Sequence, residues 1–383
     1  MTAHVEVNPE LLAWARGRAG SGGRHLERRF PNLWEWESGS RSPTFKQLEA
    51  FARATRTPVG YLFLDEPPDE KLPVPDYRTM RREGVRRPSA DLLDTIYLCQ
   101  QRQDWFREFA QLAGESPVGM VGSLSTATPV VEAAAQVRSA LRFAVDERGQ
   151  SWTEALRLLV DRAEDVGALV MVSGVVGSNT HRKLDPHEFR GFALADSMAP
   201  VAFVNGADTK AAQLFTLVHE LAHLWLGAPA LDDADLTAAP TATEDRWCDE
   251  VAAEVLVPLR EVEEQCDKNM PLEEELEPLA QRFKVSTLVI LRRLHDVGYF
   301  PDEESFRSAY EHELQHVLGI LGERGGTGGN FYSTQPLRVS KRFARAVVTS
   351  ALEGQTLYRD AFQMLGFKRM ATFNQLAVRL GMA

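Results

Sequence analysis

Cysteine is scarce in this chain: 383 residues hold three, Cys99, Cys248 and Cys266, with no C-x-x-C spacing. That excludes a disulfide framework and a dithiol redox motif, and it fits a reducing compartment. No segment approaches the roughly 18 consecutive apolar residues that a membrane-spanning helix requires. Met1 to Glu10 lacks the apolar stretch of a secretory signal. The expectation is a cytoplasmic protein with no membrane partner. Positive charge is also in deficit, at a net −11, which argues against bulk affinity for nucleic acid. The glycine-rich stretch 322–330 (GERGGTGGN) has no Gly-Lys-Ser/Thr, so it is not a phosphate cradle. What remains is an ordinary globular composition, 44% hydrophobic, with a length that suits two or three domains.

The run from Phe215 to Gly227 (FTLVHELAHLWLG) contains His219-Glu220-x-x-His223. Histidines four apart sit about 40° from each other around a helix, so both imidazoles leave one face. Glu220 projects beside them. Two neutral imidazoles can bind a zinc ion, the ion acidifies water, and a carboxylate takes the proton. Leu217, Val218, Leu221, Ala222, Leu224 and Leu226 surround the pair with apolar side chains, which predicts a buried helix. Asp208 or Thr209 can start that helix after the Asn205-Gly206 turn, and Gly227 can end it. A second match, His312-Glu313-Leu314-Gln315-His316, lies in a charge-rich segment from Asp302 to Glu323 and reads as an exposed amphipathic helix.

A tetrahedral catalytic site needs a third protein ligand. A third histidine shortly after the motif is absent, since Leu226, Ala228 and Pro229 occupy that region. The next helical stretch, Thr243 to Pro258, supplies acids instead. Asp245 and Asp249 are four apart, so Asp245 could bind metal while Asp249 orients a histidine from behind. Glu244 with Cys248 is the neighbouring register and leaves Glu244 as an alternative third ligand; Glu250 with Glu254 is another.

The segments VHELAHLWLG and RWCDEVAAEVLVP resemble the ImmA/IrrE family of zinc metallopeptidases. The upstream runs Glu188 to Leu194 and Val201 to Gly206 support the likeness. The resemblance implies a thermolysin-like core, in which a small sheet lies beside the active helix and a following helix carries the third ligand. It further implies a protein substrate such as a helix-turn-helix repressor, and associations with toxin–antitoxin pairs. The family's usual Glu and Asn stand here as Asp245 and Asp249. Aspartate is one methylene shorter, so either the backbone comes closer or Glu244 substitutes.

Gly167 to Val172 and the Phe192 and Val201 segments read as short strands bounded by Gly, Asn and Pro. Phe192 to Val204 is either a substrate-pairing edge or a structural hairpin. Residues 9–64 read as short helices around Leu11, Trp14, Ala15, Leu26, Phe30, Leu33, Trp36, Leu48, Phe51 and Ala52. Nine Lys/Arg against five Asp/Glu make that segment locally basic. It looks like a repressor-type (XRE) helix-turn-helix, yet its reading positions carry Glu35 and Glu37, which phosphates repel. DNA through residues 9–64 and a protein-docking role both stay open. Leu279 to Leu294 is a second helix-turn-helix candidate, with Ser286 as a cap. Ser340 to Gly381 reads as three helices punctuated by Gly354 and Gly366.

These readings combine into an α+β, predominantly helical chain. The expected parts are a repressor-like domain (1–65), a Pro- and charge-rich linker (66–88), a zinc metallopeptidase domain (89–260), a helix-turn-helix-like segment (261–300) and a C-terminal helical domain (301–383). The expected function is zinc-dependent regulatory endopeptidase activity. A DNA- or toxin-binding regulator that uses the peptidase fold as scaffold is the alternative.

Overall fold

The computed structural model describes residues 4–19, 26–68, 88–227, 242–267, 270–323 and 337–382. Most of the expected linker and the glycine-rich run after Glu323 lie outside the described residues. Two compact units emerge: Met1–Pro73 with Arg81–Tyr97, and Val74–Met80 with Leu98–Ala383.

The first unit is helical. α1 (Pro9–Arg18) starts where the Asn8 side chain accepts from the Glu10 N–H, with proline just inside the helix. Two short helices follow, α2 (Leu26–Arg29) and α3 (Leu33–Glu37). α4 (Phe45–Thr55) opens on a capping box between Thr44 and Gln47, and a 3-10 turn spans Val59–Phe63. All ten core residues read from the sequence lie in the buried cluster of this unit, joined by Leu12 and Leu62. α3 has only five residues. Its Trp34 is 78% exposed, while Glu35 pairs with Arg41 and Glu37 with Arg16.

α5 (Ala90–Leu112) contains the division between the units. In the second unit, α6 (Val130–Leu141) and α7 (Trp152–Asp165) come first, α7 again with a capping box, Ser151 to Glu154. Three strands follow: β1 (Leu169–Ser173), β2 (Gly191–Leu194) and β3 (Val201–Asn205). Their order is β1-β3-β2, with β1 parallel to β3 (Leu169 opposite Val201) and β2 antiparallel to it (Gly191 opposite Val204). β3 is therefore the central strand, and within the Phe192–Val204 stretch only β2 lies at an edge.

α8 (Lys210–Leu226) packs on β2, β3 and α7, and α9 (Ala242–Leu256) lies against α8 and α6. α10 (Leu259–Gln265), α11 (Leu272–Phe283) and α12 (Thr287–Asp296) continue the helical layer, with Ser286 capping α12 as its sequence suggests. α13 (Glu303–Glu323) is next, then α14 (Lys341–Leu352), α15 (Tyr358–Leu365) and α16 (Met370–Arg379). Thus the described chain is α+β and mostly helical, with one small sheet.

Helix ends leave backbone groups without partners, and buried ends must find them. The last turn of α9 is satisfied by three arginines. Arg138 donates to the carbonyls of Glu254 and Val255, and Arg148 to those of Val255 and Leu256 and also of Phe283, where α11 ends. Arg293 donates to Val257 O and pairs with the buried Glu254 carboxylate. Cations at a helix C-terminus also oppose its dipole. At the other side of the unit, the Glu164 carboxylate of α7 accepts from Ser340 Oγ (2.6 Å) and from the Lys341 N–H (2.9 Å), capping α14 from outside that helix. Lys341 also pairs with Asp161, and Arg342 with Glu115.

Candidate metal centre

The sequence of α8 explains its position. Thr209, rather than Asp208, is the cap: its side chain accepts from the Ala212 N–H (3.2 Å). Gly227 ends the helix in the left-handed conformation, φ +61°, which glycine adopts without strain. Between these ends the helix is buried on nearly every face, and this forces His219, Glu220 and His223 into the interior, at 1%, 2% and 5% exposure.

His219 Nε2 and His223 Nε2 face each other at 3.1 Å. Asp245 Oδ1 lies 3.2 Å from the first and 3.9 Å from the second. A tetrahedral zinc site with bonds of 2.0–2.2 Å separates its donor atoms by about 3.3–3.5 Å. The three distances bracket that spacing, and two imidazole nitrogens with one carboxylate oxygen suit a zinc ion in chemistry. Among the described residues, this is the one group of histidine, cysteine and acid side chains that meets a metal's geometry.

Behind the site, Asp249 Oδ1 lies 3.0 Å from His219 Nδ1. A carboxylate at that distance is placed where one can orient a histidine ring. The structure thus brings Asp245 and Asp249 to the histidines on one face of α9. Glu244 is half-buried, like Asp245, but lies outside the cluster. Glu250 is occupied by Arg246, and Glu254 by Arg293. The side chains of Asp245 and Asp249 keep 40% and 43% exposure, which marks the open side of the cluster.

Glu220 approaches β2 so closely that a side chain on Gly191 has no room. A Cβ there would lie 2.9 Å from Glu220 Oε1, 2.7 Å from Phe203 O and 2.5 Å from Thr216 Cγ2. Nothing in the sequence singles out Gly191, because its constraint comes from a helix far along the chain. The second H-E-x-x-H behaves as its composition suggests: His312 and His316 are exposed, and Glu313 bonds Thr287 Oγ1 at 2.6 Å. Burial pushes the Cys99 thiol up to about 12, which removes it as a nucleophile.

No curated protein and no solved structure matches the chain. Residues 339–379, which hold α14 to α16, match the model of a domain of unknown function (DUF8813). Residues 163–295, which hold the sheet and every residue of the cluster, match the IrrE N-terminal-like domain of the peptidase M78 family.

Proposed function

We propose that this protein is a zinc-dependent metallopeptidase with a thermolysin-like core, acting on a protein substrate in a regulatory role. The convergence of His219 Nε2, His223 Nε2 and Asp245 Oδ1 carries this reading. The M78 match over the same residues supports it. His219, His223 and Asp245 would hold the ion, which when bound supplies a Lewis acid for attack on a peptide carbonyl.

The chain's own groups supply the rest. Asp249, whose Oδ1 lies 3.0 Å from His219 Nδ1, would orient that ring so that Nε2 serves as the donor atom. Glu220 is buried beside the histidines and is the general base: its carboxylate takes the proton of the attacking water and returns it to the leaving amine. The Gly191 backbone lets that carboxylate approach without a side chain in between. β2 is a terminal strand of the sheet and is the place where an extended substrate segment adds by main-chain hydrogen bonds. A transcriptional repressor is the substrate that the resemblance of the HELAH segment favours.

Metal analysis of the purified chain should find about one zinc, lost in a His219→Ala/His223→Ala double variant. Glu220→Gln should retain zinc and lose cleavage of a genetically linked repressor. Retention of the regulatory effect in that variant would remove proteolysis from the function.

A second reading, DNA binding through residues 9–64, is favoured by their local positive charge. Against it stand the five-residue α3 and the two glutamates there, each held by an arginine of the same unit. A gel shift at physiological salt with no operator preference would dispose of it.

A further inference from the structure

The third ligand poses a spacing problem. Asp245 reaches the histidines on a short side chain, so α9 must lie close to α8 at that point. The arginines on the last turn of α9 are ten residues further on, about 15 Å along the helix. They cannot by themselves set the distance at the end that carries Asp245.

A different contact does. The segment after α5 crosses the end of α8: the Gly122 N–H donates to Leu224 O (3.2 Å) and the Leu124 N–H to Trp225 O (3.0 Å). Both carbonyls are in the last turn of α8, where helix carbonyls run short of donors; Leu224 O also accepts from the Gly227 cap N–H (3.0 Å). The backbones touch directly, since a Cβ on Gly227 would fall 2.5 Å from Gly122 Cα. Four residues on from Leu124, Thr128 O accepts the indole N–H of Trp247 at 3.0 Å. Trp247 is buried, and it stands on α9 between Asp245 and Asp249.

We propose that residues 118–128 and Trp247 form a clamp between α8 and α9, and that Trp247 is the positioning residue that lets a ligand as short as aspartate reach the histidine pair. The inference deepens the metallopeptidase reading and rests on it. A tryptophan that only filled the core would contribute stability and leave ligand reach unchanged. A clamp links the indole N–H to metal affinity, and it makes a longer ligand interchangeable with a tighter helix spacing.

The test is a zinc titration against a competing chelator on the full chain, with melting of the metal-free protein alongside. Trp247→Phe keeps an aromatic ring and loses the donor. Zinc affinity should fall about tenfold, as for other groups that orient metal ligands. Adding Asp245→Glu to that variant should recover most of the loss, because the extra methylene spans the slackened gap. In the parent, Asp245→Glu should weaken zinc, since the clamped spacing leaves the longer side chain overreaching. The clamp is refuted by a Trp247→Phe protein that binds zinc like the parent, or by a loss that Asp245→Glu does not recover. Should Trp247→Phe fail to fold, Asp245→Glu alone decides: zinc binding equal to or tighter than the parent's overturns the proposal. A parent that binds no zinc defeats the metallopeptidase reading and the clamp together. A parent that binds zinc with variants that do not differ defeats the clamp alone.

Discussion

Single residues decide the chemistry at this centre, and glycine is among them. Gly191 is the point where β2 and the Glu220 carboxylate come within one methyl group of each other. Gly191→Ala should cost about 1–3 kcal/mol through overpacking. It should lower the cleavage rate by roughly 10–100-fold through displacement of Glu220, with zinc content unchanged. Thermal melting, metal analysis and a cleavage assay on one preparation check all three. The histidine pair and Glu220 were legible in the sequence because spacing four on an apolar helix encodes a shared face. Gly191 was not, since its demand for a bare Cα comes from Thr216, Glu220 and Phe203, none of them its neighbour in the chain.

At the scale of elements, the strands and most helix ends could be read from local chemistry. Thr209 and Gly227 bracket α8, Ser286 opens α12, and Gly366 closes α15 in the left-handed conformation. The choice among the acids of α9 could not be read that way. Asp245, Glu244 and Glu254 all lie on the same stretch, and only the rotation of α9 against α8 separates their roles. That rotation depends on tertiary contacts: Trp247 to Thr128 at one end, and three guanidinium groups at the other. Arg148 is the most deeply committed of these, bonding three buried carbonyls from two helices. Arg148→Met should destabilise the protein by roughly 3–5 kcal/mol, because those carbonyls lose their partner without regaining water. Equilibrium denaturation measures it; a change under about 1 kcal/mol would mean that the carbonyls find other donors.

For the molecule as a whole, the C-terminal helices are fastened to the peptidase-like part by several polar contacts, and the half-buried Glu164 carboxylate is the one that caps α14. Burial raises Glu164 from its ordinary 4.5 to about 7, against the opposing hydrogen bonds from Ser340, Lys341 and Arg342. The folded state therefore binds this proton more tightly than the unfolded chain does. Its contribution to stability is complete below about pH 4.5 and is lost as pH rises through about 7, a difference on the order of 3 kcal/mol. Denaturation followed from pH 5 to pH 8 should show that decline, and Glu164→Gln should flatten it. An unchanged slope in the variant would place the pH dependence elsewhere. The sequence announces the three terminal helices but not this attachment, since an acid at the end of α7 looks like any solvated charge.

The grip on the end of α9 has a consequence for how small the working piece can be. Arg138 and Arg148 both precede residue 163, where the M78 match begins, while Arg293 stands two residues before that match ends. A fragment trimmed to the matched borders keeps His219, His223 and Asp245 and loses two of the three cationic anchors, along with Thr128. The matched segment alone thus marks out the cluster, whereas the physically self-sufficient fragment must begin upstream of the loop that crosses α8.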